Sequence, residues 1–356
     1  MKKTNGTETL LNMFPYPVIT VEKGKITAVN DAAKAKQISC GIQIAGLICN
    51  GKEEYESFTG GYLSISLLVD GISFLTGVTR VDEADIFHLY GESKEAEFRT
   101  MALIAQQMRQ PLANVMTCLN DLLPAAANNQ DAEMVKKAEQ ANRGMYQLLR
   151  RINNLSAMSG FSGNRDYAFA TCNVSAFFAE IMERSANLAK DTGKSLAFIP
   201  LPMDVFSVID SEMLERAIYN LVSNAIKFSP EGSTITAKLS LVNQKIRFTI
   251  QNTCDEDVNL QNLFSRFLRE PGIEDSRYGI GLGIPLVRYT AATHRGSLLM
   301  DQPEANVVRF SLTIPICQKH TGALHSPIRG LDYLGGYDHA LVELSDILPP
   351  EAFKNI

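Results

Sequence analysis

The stretch LERAIYNLVSNAIKFSPEG, residues 214–232, decides the fold of the C-terminal half of the chain. Its apolar residues recur at helical spacing and predict an amphipathic helix: Leu214, Ala217, Ile218, Leu221 and Ala225. Asn220 and Asn224 lie four residues apart and share one face of this helix, and Lys227 follows within a turn. A carboxamide oxygen suits Mg²⁺ and a lysine suits phosphate, so the pattern indicates a nucleotide site.

A glycine-rich turn, YGIGLGIPLVRY at residues 278–289, follows this helix along the chain. Glycines let the backbone approach a phosphate closely, because they carry no side chain. A helix that begins near Pro285 would add free N–H groups and the positive end of its dipole. We therefore expect this turn to form the second part of the same site.

The bulk composition is ordinary for a globular protein. The chain has 356 residues and a net charge of −5, and its acidic and basic residues are interspersed. This length predicts about two or three domains, and the lack of a basic face predicts no nucleic-acid partner. The six cysteines form no C-x-x-C pair, and no apolar run is long enough to span a bilayer. We therefore expect a cytoplasmic protein with reduced thiols and no membrane span.

The first part of the chain predicts a small sheet. Residues 17–21 and 26–29 form a hairpin pattern, and residues 62–69 and 72–81 predict two further strands. This order of strands and short helices resembles a PAS sensor domain, which we place at residues 1–92. The ligand of such a domain stays open.

Residues 93–160 predict a helical hairpin, because apolar residues alternate spacings of three and four in two segments. The first seam comprises Phe98, Met101, Ala105, Met108, Leu112, Val115, Leu119 and Leu122, and the second Met134, Ala138, Ala141, Met145, Leu148, Ile152 and Leu155. Two helices alone bury little surface, so we expect a second copy of the chain to complete a four-helix bundle. The alternative is an internal hairpin that packs on its own chain.

The remainder of the chain divides into an α/β domain and a tail. Residues 165–316 alternate helical and strand patterns around the asparagine helix and the glycine turn. The tail, residues 317–356, holds a short amphipathic run with Leu341, Leu344, Ile347 and Leu348. It predicts either a segment that docks on the body of the protein or a helix that binds a partner.

With these motifs together, the segment 95–316 resembles the core of bacterial sensor histidine kinases. The resemblance implies a multidomain α+β protein with a PAS-like sheet domain, a dimeric helical-hairpin bundle, and an α/β-sandwich ATP-binding domain of the GHKL class. It also implies ATP and Mg²⁺ as cofactors. The implied partners are a second copy of the chain through the hairpin, and a response regulator or a partner histidine kinase.

The sequence NLVSNAIKF looks like the asparagine box of that family. By resemblance, Asn224 would coordinate Mg²⁺, Lys227 would face the phosphates, and Asn220 would line the same pocket. An ordinary polar helix face is the alternative for Asn220. The sequence LFSRFLRE looks like the phenylalanine box, in which Phe264 and Phe267 would pack beside the nucleotide lid, with plain core packing as the alternative for Phe264.

The glycine boxes are only partly retained. Gly279, Gly281 and Gly283 match the second glycine box of the family. The first box normally has an aspartate that binds the adenine amino group, and Asn252 falls at that place, with Cys254 at the position of its glycine. A neutral hydrogen bond in place of a charge-assisted one costs on the order of 1 kcal/mol. We therefore expect weakened rather than abolished nucleotide binding.

The phosphoacceptor segment departs from the family most strongly. The family reads roughly His-Glu-Leu-Arg-Thr-Pro-Leu, and this chain reads QQMRQPL at residues 106–112. Gln106 replaces the histidine and Gln107 replaces the neighbouring acid. A carboxamide offers no nucleophilic nitrogen near neutral pH and no general base, so autophosphorylation is not expected here. Neither His88 nor His294 lies in the hairpin, so neither is a strong substitute acceptor.

Four interpretations follow from these residues. The first is a nucleotide-binding regulator that donates no phosphate, which Gln106 and Gln107 favour. The second is an active ATP domain that phosphorylates a partner protein in trans. The third is a protein-serine kinase of the same superfamily, against which the long hairpin argues. The fourth is assistance to phosphate hydrolysis on a partner, in which Gln107 and Gln110 would orient water.

Overall fold

A computed structural model describes residues 4–90, 104–105, 107–119, 132–157, 167–254, 282–317 and 337–353. Its strands are β1 Val18–Glu22, β2 Lys25–Val29, β3 Ile48–Asn50, β4 Tyr62–Val69, β5 Ile72–Val81, β6 Ala84–Tyr90, β7 Phe169–Asn173, β8 Ser195–Ile199, β9 Phe206–Asp210, β10 Thr234–Val242, β11 Lys245–Thr253, β12 Ser297–Glu304 and β13 Val307–Pro315. Its helices are α1 Thr4–Leu11, α2 Asp31–Ala35, α3 Lys52–Glu56, α4 Ala132–Ala157, α5 Val174–Ala189, α6 Ser211–Phe228, α7 Gly283–Thr293 and α8 His339–Leu344, with short 3₁₀ turns at Ile44–Gly46, Lys190–Thr192 and Pro350–Phe353. Residues 107–119 are also helical.

One sheet runs through both the N-terminal unit (residues 18–90) and the α/β domain. Its strand order is β2-β1-β6-β5-β4-β12-β13-β11-β10-β8, and β3 adds to β4 at the side. The pairs are antiparallel except β8 with β10. The sequence predicts these strands in two regions, residues 1–92 and 165–316, and the pairing of β4 with β12 joins the strands of both into one sheet. The physical reason is that β4 is buried along almost its whole length, so its second edge is covered rather than left to solvent.

Helix α6 is the asparagine helix, and local signals fix both of its ends. Asp210 is its N-cap, and the side chain accepts a hydrogen bond from the Met213 N–H. At the other end Ser229 is extended, as a residue before proline should be. Its apolar face packs against β11 and α7, and these residues on it are at most 3% exposed: Leu214, Ala217, Ile218, Leu221 and Ala225.

The hairpin helices bury one side and leave another open. In residues 104–119, Ala105, Leu112 and Met116 are buried, and in α4 Tyr146, Leu149 and Ile152 are buried. The large side chains that stay exposed are Ile104, Met108 and Val115 on the first helix, and Met134 and Leu148 on the second. Part of each expected seam is therefore exposed to solvent in a single chain.

The N-terminal unit contacts the α/β domain through a buried cation as well as through the strand pairing. Arg288 of α7 reaches the sheet, where its Nε donates to Ser64 Oγ at 3.3 Å. Its guanidinium lies 4.4 Å from the ring centre of Tyr90 and 5.4 Å from that of Tyr62. His88 is buried in the same seam at 5% exposure. The seam therefore combines cation–π contacts with a histidine that is held away from water.

Acid should destabilise this seam through His88. Burial, with a smaller contribution from Arg288, lowers the pKa of His88 to about 4, from 6.5 for the unfolded chain. Because the folded state prefers the neutral ring, the stability from His88 is complete above pH 6.5 and is lost as the pH falls towards 4. We expect this group to remove up to about 3 kcal/mol of the free energy of unfolding over that range.

The variant His88→Gln tests this assignment by denaturant unfolding at a series of pH values. We expect the variant to lose less stability than the wild type between pH 6.5 and 4. Equal slopes for the two proteins would contradict the assignment.

In the described part of the chain, no helix combines the length and the apolar character needed to cross a membrane.

Candidate nucleotide site

The two asparagines of α6 have different surroundings. Asn220 is 2% exposed, and its amide is committed to other parts of the protein. Its Nδ2 donates to the Arg216 carbonyl at 2.8 Å, and its Oδ1 accepts from Arg150 Nη2 of α4 at 3.3 Å. Any contact of Asn220 with a nucleotide would have to replace or share these bonds, so its binding role stays a prediction.

Asn224 lies one turn further along and is half-buried. Its carboxamide has no hydrogen-bond partner among the described residues, so its oxygen is available to a ligand. A carboxamide oxygen is a ligand type that Mg²⁺ accepts, usually beside waters and substrate phosphates. The residue therefore fits the metal-binding role that the sequence predicts for it.

The N-terminus of α7 meets α6 at Asn220. The helix begins at Gly283, so Pro285 lies in its first turn as expected, and its N-cap Leu282 makes no side-chain cap. A Cβ atom on Gly283 would lie 2.8 Å from Asn220 Oδ1, so only glycine lets the two helices approach this closely. The first backbone N–H groups of α7 therefore lie beside the asparagine face, which is a suitable arrangement for an anion.

Lys227 lies at the outer end of this face. Burial lowers its pKa, the charge of Asp346 acts in the opposite direction, and the charge of Arg150 lowers it further. Its Nζ lies 5.7 Å from the ring centre of Phe228. The charge of Asp346, in the C-terminal segment, thus partly offsets the effect of burial on this lysine.

The remaining predicted residues divide between described and undescribed parts of the chain. Asn252 is buried near the end of β11, where its Nδ2 donates to the Thr253 carbonyl at 3.0 Å and lies 3.5 Å from Cys254 Sγ. Gln107 is exposed on the first hairpin helix. Outside the described residues lie Gln106, Phe264, Phe267, Gly279 and Gly281. The predicted adenine contact of Asn252 stays a prediction.

His294 has a structural role. Its Nε2 accepts the backbone N–H of Asp210 at 3.1 Å, and its Nδ1 lies 2.8 Å from the Thr290 carbonyl. These two bonds require the neutral ring with its proton on Nδ1. The histidine thus holds the start of α6 against the end of α7, consistent with a capping role and not with that of a phosphate acceptor.

A segment that we call the C-terminal strap, residues 337–353, closes the other side of this region. Four of its apolar residues are completely buried: Val342, Leu344, Leu348 and Phe353. It lies against both the hairpin helix α4 and the asparagine helix α6. The amphipathic run in the sequence predicted such docking, but nothing in the sequence indicated where the strap would lie.

Glu343 of the strap is completely buried between two arginines. Its carboxylate oxygens lie 3.7 Å from Arg150 Nε and 3.4 Å from Arg216 Nε. Burial raises the pKa of this carboxyl, and the charges of Arg216 and Arg150 act in the opposite direction. Asp346 forms a second pair with Arg150, at 2.8 Å between Oδ2 and Nη1.

Comparison with known families identifies this region. Residues 209–318 match the family described as histidine kinase-, DNA gyrase B-, and HSP90-like ATPase. The chain carries a histidine-kinase-like ATPase domain. The match begins just before α6 and includes α7, so the two helices that meet at Asn220 both belong to this domain. The family supports ATP as the ligand of the site.

Several curated proteins are similar over a longer segment. Sensor protein KdpD of Clostridium acetobutylicum is 30% identical over 60% of this chain and 24% of its own length. Sensor histidine kinase CusS of Escherichia coli is 25% identical over 60% of this chain and 44% of its own length. Sensor histidine kinase WalK of Bacillus subtilis is 24% identical over 69% of this chain and 40% of its own length. The chain thus spans less than half the length of these three relatives.

Among solved structures, full-length ShkA in complex with AMPPNP is similar at a TM-score of 0.47 and 19% identity. That similarity covers 65% of this chain and 47% of the ShkA chain.

Proposed function

We propose that this protein is a nucleotide-binding signalling regulator that does not phosphorylate itself on the hairpin. The single observation that supports the nucleotide-binding part is the close approach of α6 and α7 at Asn220 and Gly283, since Asn224 follows Asn220 by one turn of α6. In this proposal Asn224 holds Mg²⁺ and Lys227 faces the phosphates. Bound Mg²⁺ would supply charge neutralisation on the phosphate oxygens.

The absence of self-phosphorylation follows from the residue types at the acceptor position. Gln106 and Gln107 stand where the family has its histidine and its acid, and neither carboxamide is a phosphate nucleophile near neutral pH. Of the histidines in the described residues, His88 and His294 are buried away from the hairpin, and His339 contacts Glu215 at 3.0 Å. None of these three takes the place of the missing acceptor.

The hairpin is the proposed dimer interface. Met134, Ala141 and Leu148 are spaced by seven residues on α4 and all three are exposed in a single chain, as are Met108 and Val115 on the first helix. A stripe of heptad positions that stays open is the pattern that a second copy would cover. We propose a homodimer in which these stripes form the core of a four-helix bundle.

A second candidate is an active ATPase domain that phosphorylates a partner in trans. The observation in its favour is that the asparagine helix and the start of α7 remain assembled although the acceptor residues are changed. The partner would be a histidine kinase in a mixed dimer, and a response regulator would receive the phosphate. The relatives are sensor histidine kinases, which supports a place in two-component signalling.

The N-terminal unit is the proposed PAS-like sensor, in a cytoplasmic protein. Its strands β4, β5 and β6 form an antiparallel sheet over a core that includes Phe74 and Phe87. The pairing of β4 with β12 offers a direct mechanical route from that unit to the ATPase domain.

Labelled ATP distinguishes the two candidate functions. The purified protein is incubated with Mg²⁺ and γ-labelled ATP, alone and with the histidine kinase and response regulator encoded nearest to it. For the regulator we expect no label on this chain and no increase of label on either partner. Label that appears on a partner only when this chain is present would favour the trans kinase. Acid-labile label on the hairpin would overturn the regulator proposal.

A further inference from the structure

We propose that the C-terminal strap is an internal competitor of the nucleotide, in which Glu343 and Asp346 occupy cations that a triphosphate would otherwise contact. This inference rests on the proposed nucleotide-binding function. The site that the strap covers is formed by Arg150 and Arg216, and its ligand class is a polyphosphate. Strap docking and nucleotide binding then exclude or weaken each other.

The two carboxylates of the strap lie against the arginines of α4 and α6. Glu343 lies between Arg150 and Arg216, and Asp346 pairs with the other edge of Arg150 at 2.8 Å. The same Arg150 donates to Asn220 Oδ1 on the asparagine face. The strap therefore places two negative charges next to Arg150, the side chain that also contacts the asparagine face where the phosphates of the nucleotide are expected.

The strap also supplies negative charge to two buried arginines. Arg150 and Arg216 are only 5% and 6% exposed, so each needs a nearby negative charge. Among the described residues, both acids that pair with Arg150 belong to the strap, while Arg216 also lies 3.8 Å from Glu212. If the strap left, Arg150 would keep its charge without an acidic partner in this part of the chain. A polyphosphate is the ligand that would restore the balance.

The contacts that hold the strap decide whether a nucleotide can displace its acidic residues. The strap is held by buried apolar residues and by polar contacts to α4, including Asn142 Nδ2 to the Phe353 carbonyl at 3.1 Å and Gln147 Nε2 to the Ser345 carbonyl at 3.3 Å. Glu343 lies between α4 and α6, whereas Asp346 pairs with α4. Exchange therefore requires α8 and Asp346 to move together, while Phe353 at the far end can keep the segment attached.

The competition has two reciprocal consequences. Weakening the contact of the strap with Arg150 should strengthen nucleotide binding, and nucleotide should loosen the strap to the same extent in free energy. A strap that only stabilises the fold would predict neither effect. Nucleotide affinity and hydrogen exchange of the strap therefore distinguish competition from a purely structural role of the strap.

The variant Asp346→Asn removes one strap charge and keeps the shape of the side chain. The matched control is Glu351→Gln, which changes the net charge equally at an exposed acid of the same segment. Affinity is measured by calorimetry on the full chain with Mg²⁺ and a non-hydrolysable ATP analogue. We expect Asp346→Asn to bind roughly 3- to 10-fold more tightly than the wild type, the range of one charge-assisted contact, and the control to bind like the wild type.

Hydrogen exchange of the α8 amides, with and without the same analogue, supplies the second readout. We expect the analogue to speed exchange in α8 of the wild-type protein. If the analogue binds but affinity is equal in all three proteins and α8 exchange is unchanged, the competition is overturned and the proposed function stands. If none of the three proteins binds the analogue, the proposed function fails and the competition falls with it.

Discussion

Replacing Asn224 by alanine should reduce the affinity for Mg-nucleotide by between about 10- and 100-fold, a range typical for the loss of a group that supports a metal. Asn224 lies on the face of α6 that meets the start of α7, and no described residue occupies its carboxamide. Alanine favours helix, so α6 should stay intact while the Mg²⁺ ligand is removed. The measurement is calorimetric titration of a non-hydrolysable ATP analogue with and without Mg²⁺.

The dependence on Mg²⁺ distinguishes the loss of a metal ligand from general damage. The wild type should lose affinity when Mg²⁺ is chelated, and Asn224→Ala should show little further loss. The control Asn187→Ala changes an exposed asparagine on the neighbouring helix α5 and should bind as the wild type does. A variant at Asn224 that keeps full Mg-dependent affinity would remove this residue from the site.

Replacing Gly61 by alanine should open the seam between the N-terminal unit and the ATPase domain. A Cβ atom at Gly61 would lie 2.3 Å from the Met300 carbonyl oxygen of β12, and the backbone φ is +93°. Backbone strain and overpacking together should cost about 2–5 kcal/mol. The measurement is hydrogen exchange of the amides in β4 and β12, which should become faster than in the wild type.

Gly41 offers a matched control for this variant. Its φ is +90°, but a Cβ atom there would meet nothing within 4 Å. Gly41→Ala therefore carries the same type of backbone strain without the contact with β12, and we expect it to cost about 1–2 kcal/mol without local opening at the seam. Equal protection of β4 in the two variants would show that Gly61 is not needed for the joined sheet.

Local patterns predicted the elements that depend on nearby residues. Residues 62–69 and 72–81 form β4 and β5 at the expected positions, because the apolar runs are separated by a turn at Asp70 and Gly71. The asparagine helix begins after its Asp210 cap and carries the expected apolar face. In such elements the period of the side chains and the end signals act within a few residues.

Contacts between distant segments left much weaker signals. The pairing of β4 with β12 joins residues far apart in the chain, and only the near-complete burial pattern of YLSISLLV could have indicated covered edges. Glu343 pairs with Arg150 and Arg216, which lie far before it in the sequence, and an acid within an amphipathic run gives no indication of its partner. Docking was thus one of two interpretations of the tail, and neither the site nor the charge pairing of the strap was predicted.

Mass spectrometry of the purified protein with Mg-ATP separates nucleotide binding from covalent transfer, because the native spectrum reports bound nucleotide and the spectrum of the unfolded, digested chain reports any phosphoryl group and its position. We expect a mass increase of one Mg-ATP per chain that disappears when the protein is unfolded at alkaline pH, with no phosphoryl group left on the chain. A phosphoryl group that remains on residues 93–160 after this unfolding would show that the protein phosphorylates itself on the hairpin and would overturn the proposed function. So would a spectrum without any bound nucleotide at millimolar ATP.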